Sequence, residues 1–208
     1  MVLSKKENRK QLIMKSANRL FAQYGIEKTT IEDIAKEADI GKGSIYLEFG
    51  SKHEILMAII DSFMTEEINE LERLLRNSKT QNYLELFKQS MVNHIVHTFD
   101  LACSRHHTPE GLIHSSFKVR NEMKGLLDKM DQLFVSILEK AAKNKELEPN
   151  LDIPKTAALI CISLDALFPP YACKAYNDRD SERITREEVK EQAEGILDLI
   201  SNGIRRKK

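Results

Sequence analysis

The sequence predicts an all-α chain of about nine helices, on three observations. Apolar residues recur at i, i+3, i+4 and i+7 spacing in one block after another, and no block alternates with the period of a strand. Pairs such as Thr30 with Asp33 and Ser51 with Glu54 stand just ahead of apolar-periodic runs, where capping boxes belong. Gly25, Gly41, Pro149 and the pair Pro169-Pro170 fall between blocks, where helices must stop. The pattern divides into a three-helix head over residues 6–50 and a helical remainder, 51–208, that begins with a long bridging helix over 51–77.

The first helix runs from about Lys6 to Tyr24, with Leu12, Ile13, Ala17, Leu20, Phe21 and Tyr24 at helical spacing and Gly25 as its stop. The stretch Thr29 to Lys52, TTIEDIAKEADIGKGSIYLEFGSK, then reads as two short helices with a tight turn. Thr30 opens the first, and Ile31, Ile34, Ala35 and Ala38 share one face. The helix stops near Asp39-Ile40-Gly41, and Gly41 is expected to take the backbone conformation of the sharp corner. The second helix, about Lys42 to Phe49, turns Ile45 and Phe49 inward and is expected to show Lys42, Gly43, Ser44, Tyr46, Leu47 and Glu48 outward. This is the helix-turn-helix plan.

Those outward residues suit DNA. A helix start carries partial positive charge and free N–H groups that favour a phosphate. Gly43 and Ser44 let the backbone come close to a duplex, Tyr46 can hydrogen-bond a phosphate and Lys52 can neutralise one. Thr30 is placed on a flanking phosphate, and Lys42 can donate to a guanine edge in the major groove. A helical hairpin at a protein interface has the same pattern. Residues 1–25 hold six bases (Lys5, Lys6, Arg9, Lys10, Lys15, Arg19) and one acid (Glu7), a net of +5, beside the duplex-facing segment.

TTIEDIAKEADIGKGSIYLEFGSKHEIL resembles the DNA-binding segment of the TetR family of regulators. The resemblance covers about the first sixty residues and is carried by Phe21, Gly25, Thr30, Ile34, Ala35, Gly43, Tyr46, Phe49, Lys52 and Leu56. Many members have aromatic or histidine residues between the tyrosine and the phenylalanine. Here Leu47 and Glu48 stand there, and an acid facing DNA alters the base contacts expected. The resemblance implies a ligand-responsive transcriptional regulator, most often a repressor released from a palindromic operator by a small molecule. It also implies a homodimer paired through its last two helices.

Ser51 and Glu54 open the bridging helix, whose apolar positions are Ile55, Leu56, Ile59, Ile60, Phe63, Ile68, Leu71, Leu74 and Leu75. At 1.5 Å per residue, about 25 residues span roughly 40 Å, enough to join the head to the rest. A fifth helix is expected from Asn82 to about Ala102, a short sixth over Glu110 to Val119 and a seventh over residues 120–145. Asp152 and Pro154 open an eighth, whose body Ala157 to Phe168 is apolar enough to imply burial on most sides. A last helix spans about Thr185 to Gly203.

The chain has 208 residues, formal net charge zero from 32 basic and 32 acidic side chains, and three cysteines. Zero net charge argues against a generic polyanion binder but is silent on a local patch. An odd cysteine count without close pairs favours a reducing compartment. With no apolar signal core and no membrane-length apolar run, a cytoplasmic location and no membrane partner are expected. There is no GxSxG, HExxH, P-loop or GxGxxG, so no enzyme and no cofactor are expected. Cys103, His106, His107 and His114 raise a metal site, but no second pair stands at structural zinc spacing, and none is expected. Cys161 and Cys173 lack a paired base. A helical-bundle enzyme or metal protein without a gene-regulatory role is the alternative; it lacks Glu-x-x-His pairs on two helices.

A pocket for an apolar or aromatic effector is expected among helices five to eight, from Phe87, Met91, His94, Phe117, Met130, Phe134, Cys161 and Asp165. Asp165, one acid in the run ICISLDALF, suits a cationic ligand there; it equally suits a subunit boundary or a cap, with the rest plain core. The faces expected to pair two copies are Ala157, Ile160, Leu164 and Leu167 with Val189, Ala193, Ile196 and Ile200, some of which must instead cover the monomer core.

Overall fold

The computed structural model describes residues 5–76, 82–102, 118–164, 167–168 and 185–206. The helices are α1 Lys5–Tyr24, α2 Ile31–Glu37, α3 Lys42–Tyr46, α4 Lys52–Arg76 and α5 Tyr83–Ala102. After these come α6, described over residues 118–122, α7 Lys124–Lys143, α8 Ile153–Leu164 and α9 Arg186–Ile204. Among the described residues, β structure amounts to one isolated antiparallel bridge between Leu147 and Arg205. The all-α expectation therefore holds.

Local chemistry sets the head. Gly25 ends α1 at φ 83°, a conformation glycine adopts at little cost, and its N–H reaches Phe21 O at 2.9 Å. Thr30 caps α2 in a complete capping box: its hydroxyl accepts from Asp33 N and the Asp33 carboxylate accepts from Thr30 N. The corner between α2 and α3 is made by Asp39, at φ 51°, and not by Gly41, which caps α3 at φ −69°. Aspartate tolerates the left-handed region because its short polar side chain crowds the backbone little. Ile13, Ala17, Leu20, Phe21, Ile34, Ala35, Ile45, Phe49, Ile55 and Ile59 close into one core.

α4 belongs to two cores. Its start gives Ile55 and Ile59 to the head, and its later turns give Ile68, Leu71 and Leu75 to a second, larger cluster. Ser51 Oγ accepts from Glu54 N at 3.1 Å as expected, while the Glu54 carboxylate reaches Gly50 N, one residue before the expected donor. In the body, α5 packs on α9 and α7, and α7 packs on α4 and α8. Phe87, Met91, Ile95, Met130, Phe134, Ile137 and Leu197 lie at its centre.

Long-range contacts fasten the helix ends. Asn82 caps α5 through Glu85 N, and Glu146 accepts from Tyr83 N and Leu84 N, so three of α5's orphan donors are satisfied by side chains. Lys140 donates to Leu75 O at the end of α4 and lies over the Tyr83 ring at 5.6 Å. The helix expected over 120–145 is interrupted at Met123, a turn between α6 and α7. Most of the expected Glu110–Val119 helix lies outside the described residues. α8 is less covered than the expected burial on most sides: Leu159 is 55% and Ile162 66% exposed, because α7 and α9 cover only its other sides.

Candidate nucleic-acid interface

α3 is held from beneath and bare above. Ile45 is fully buried and Phe49 nearly so, while Tyr46 is 51% and Leu47 76% exposed. Lys42 and Gly43 are exposed and Ser44 half-buried on the same short helix. A Cβ built at Gly43 would meet nothing within 4 Å, so the protein's own packing does not require glycine there. Thr30 is exposed at the start of α2. Seven of the eight residues expected at a duplex, Thr30, Lys42, Gly43, Ser44, Tyr46, Leu47 and Lys52, are thus at least partly accessible around α3.

Two lysines in this group are already engaged. Lys42 pairs with Glu32 of α2, and its ammonium lies 5.8 Å from the Tyr46 ring centroid. Hydrogen bonding to Glu32 raises the Lys42 pKa, and the same bond lowers that of Glu32. Lys52 donates to Thr29 O at 2.7 Å and Glu27 O at 3.2 Å, tying the α1–α2 loop to the start of α4. Burial lowers the Lys52 pKa, with Glu27 opposing the shift. An ammonium has three donors, so one remains for a phosphate.

Glu48 is the correction. It was expected on the outer side, but its side chain is 3% exposed and turned under the head, 3.5 Å from Arg9 Nη1 of α1. Ile45, Glu48 and Phe49 stand at i, i+3 and i+4, which is one helix face. The spacing that buried the two apolar residues already carried the signal.

Head and body touch near α4. His53, next to Lys52, lies 3.0 Å from the Glu122 carboxylate at the end of α6, and Lys118 adds a second base at 3.8 Å. Further along, Glu67 of α4 places one carboxylate oxygen 2.9 Å from His94 Nδ1 and the other 3.1 Å from His97 Nδ1, both on α5. Burial alone would raise the Glu67 pKa; the two imidazoles outweigh it and hold the carboxyl below its ordinary range. A depressed carboxylate contributes stability above the unfolded value of about 4.3 and loses it as pH falls through the folded value. Glu67→Ala is therefore expected to cost about 1–3 kcal/mol at neutral pH by leaving the buried His94 ring donor unsatisfied. In urea titrations the gap to wild type should narrow below about pH 4.3. A gap that stays constant there would contradict this account.

Of the residues expected around an effector, Phe87, Met91, His94, Met130 and Phe134 come together in the body's core and Cys161 packs at its edge. Phe87 and Phe134 meet edge to face at 5.8 Å, and the His94 ring lies between Phe134 and Phe168. Phe117 and Asp165 lie outside the described residues, as do Cys103, His106, His107, His114 and Cys173. The expected pairing faces are corrected. Ala157, Ile160, Leu164, Leu167, Val189 and Ala193 are 0–5% exposed within the chain, because they close the body's own core. Ile196 and Ile200 are half-buried, and the bare apolar positions are Leu159, Ile162 and Leu199.

Comparison with known proteins agrees with this geometry. The fatty acid metabolism regulator protein of Bacillus subtilis (strain 168) is 22% identical over 199 residues, 94% of this chain and 95% of that protein. A solved structure of the regulator FadR from Bacillus subtilis in complex with stearoyl-CoA has the same fold, with TM-score 0.64, 20% identity, and 93% and 98% of the two chains covered. An uncharacterized HTH-type transcriptional regulator of the same strain, YerO, is 36% identical over 66 residues, 32% of this chain; the match spans 23% of YerO's own length. Residues 13–59, from Ile13 of α1 to Ile59 of α4, match the family model for bacterial regulatory proteins of the tetR family. The helix-turn-helix segment of this chain is similar to that of the tetR family of bacterial regulatory proteins.

Proposed function

We propose that the chain is a ligand-responsive transcriptional regulator that binds twofold-related operator half-sites as a homodimer and releases them when an effector binds. The observation that carries this reading is α3 itself: anchored by Ile45 and Phe49, it offers Lys42, Gly43, Ser44, Tyr46 and Leu47 to the outside. Thr30 and Lys52 flank it at the phosphates. Repression by occlusion of a promoter follows the family resemblance. Two copies pair through Leu159 and Ile162 of α8 and Leu199 of α9, with Ile196 and Ile200 at the margin.

Gly43→Ala tests the DNA reading cleanly. Glycine inside a helix is about 0.5–1 kcal/mol worse than alanine, so this variant is expected to melt slightly higher. It should nevertheless bind DNA more weakly, since the new methyl meets only the duplex. Lys42→Ala should in addition change the preferred base, as loss of a base contact does. The measurement is affinity for duplexes that the wild-type protein selects from a random-sequence library. Wild-type affinity and base preference in both variants would reject α3 as the reading helix.

The effector we propose is a molecule with an apolar body, received among Phe87, Met91, His94, Met130 and Phe134. A long-chain acyl-CoA is the first compound to test, because a protein similar over nearly the whole chain regulates fatty acid metabolism and a similar structure holds stearoyl-CoA. An effector shifts DNA affinity only if it binds the two arrangements of the heads unequally. α4 is the transmitter, since it contributes to both cores and carries His53 against Glu122 of α6.

A further inference from the structure

We infer that Arg9 and Glu48 form a positioning pair that seats the C-terminal end of α3 against α1, so that Arg9 serves the DNA-binding face through Glu48 and not by contacting a phosphate. The inference rests on the DNA-binding reading of α3. α3 spans five residues, too few to hold its own angle, so that angle depends on what clamps its two ends. At the start, Lys42 is tied to Glu32 of α2. At the far end, two basic residues of α1 do the work. Arg9 Nη1 stands 3.5 Å from Glu48 Oε1, and the Lys10 ammonium lies 5.6 Å from the Phe49 ring centroid.

Glu48 makes the pair obligatory. Its side chain is 3% exposed, and its Oε2 is buried without a hydrogen-bond partner among the described residues. A buried carboxylate is costly unless paired, and among the described residues the Arg9 guanidinium is the charged group set against it. If Arg9 swung out to a phosphate, both carboxylate oxygens would be stranded under the reading helix. Arg9 is itself only 34% exposed along its side chain, which fits a group turned toward the protein. The acid that sequence placed on the duplex face is thus folded away and neutralised, leaving Lys42, Ser44 and Tyr46 to face the DNA.

The test uses the full chain and a duplex that wild type selects from a random-sequence library, with an unselected duplex for comparison. Affinities are measured against salt for Arg9→Ala, Glu48→Gln and the double variant. Arg9→Ala is expected to bind the selected duplex on the order of tenfold more weakly or worse, since removing one partner of a buried pair leaves an uncompensated charge. Glu48→Gln should change little, and in the Arg9→Ala background it should restore affinity to within about threefold of wild type with the salt slope unchanged. The inference is overturned if the double variant is as weak as Arg9→Ala on both duplexes and its salt slope is shallower by about 0.9, the mark of a lost phosphate contact. Arg9→Ala that fails to fold while the double variant folds also supports the pair; both failing overturns it. A wild-type protein that selects no duplex removes the DNA reading itself, a result separate from any of these.

Discussion

Ile45→Ala is expected to unseat the reading helix and abolish sequence-selective DNA binding while the body of the protein stays folded. Ile45 is fully buried at the centre of the head's core, and truncating a buried isoleucine to alanine costs about 2–5 kcal/mol. A head of this size holds roughly 0.05–0.15 kcal/mol per residue in total, so that cost is most of what it has. The body is insulated from the loss because the two cores share no buried residue and meet along α4. Thermal unfolding followed by circular dichroism should resolve a lowered first transition and an unmoved second one. Hydrogen exchange should show protection lost in α2 and α3 and kept in α5, α7 and α9. One cooperative transition, shifted as a whole, would mean that head and body fold as a unit.

What sequence could and could not tell follows from the range of the interactions involved. Caps are local, so Thr30 with Asp33 and Gly25 are legible, and the cap of Asn82 on Glu85 and the capping box of Thr185 with Glu188 are as short-ranged. The corner was misplaced because Gly41 is the residue best suited to a left-handed turn, whereas Asp39 adopts it at φ 51°. Glu48 falls on the buried face, against the outward expectation, because it stands three residues after Ile45 and one before Phe49. Contacts such as Glu146 to Tyr83 and Leu84, or His53 to Glu122, join residues more than sixty positions apart and leave no local pattern. Periodicity also cannot distinguish an apolar face covered by the chain's own body from one covered by a second copy. That is why the apolar stripes of α8 and α9 offer both Ala157, Ile160, Leu164, Leu167, Val189 and Ala193, which close the body's own core, and the half-buried Ile196 and Ile200 as pairing residues.

The division between those two faces makes the second large effect sharp. Leu159 and Ile162 on α8 and Leu199 on α9 are 55%, 66% and 77% exposed, while Ile160 and Leu197, beside them in sequence, are buried. Charges at the exposed three cost the isolated chain little, because no core side chain is removed and no acid is forced inside. In a paired interface they would place like charges in a desolvated apolar contact, which neither copy can accommodate. Leu159→Asp, Ile162→Asp and Leu199→Asp together are therefore expected to convert a dimer into a folded monomer by light scattering at micromolar concentration. Each head would then bind its half-site alone. Losing the second, intramolecular binding event weakens affinity for a two-site duplex by about 10²–10⁴-fold while leaving the affinity for one half-site unchanged. Ile160→Asp is the control: it buries an unpaired charge in the body and should unfold the body instead. A triple variant that remains a dimer with full operator affinity would place the pairing face elsewhere on the molecule.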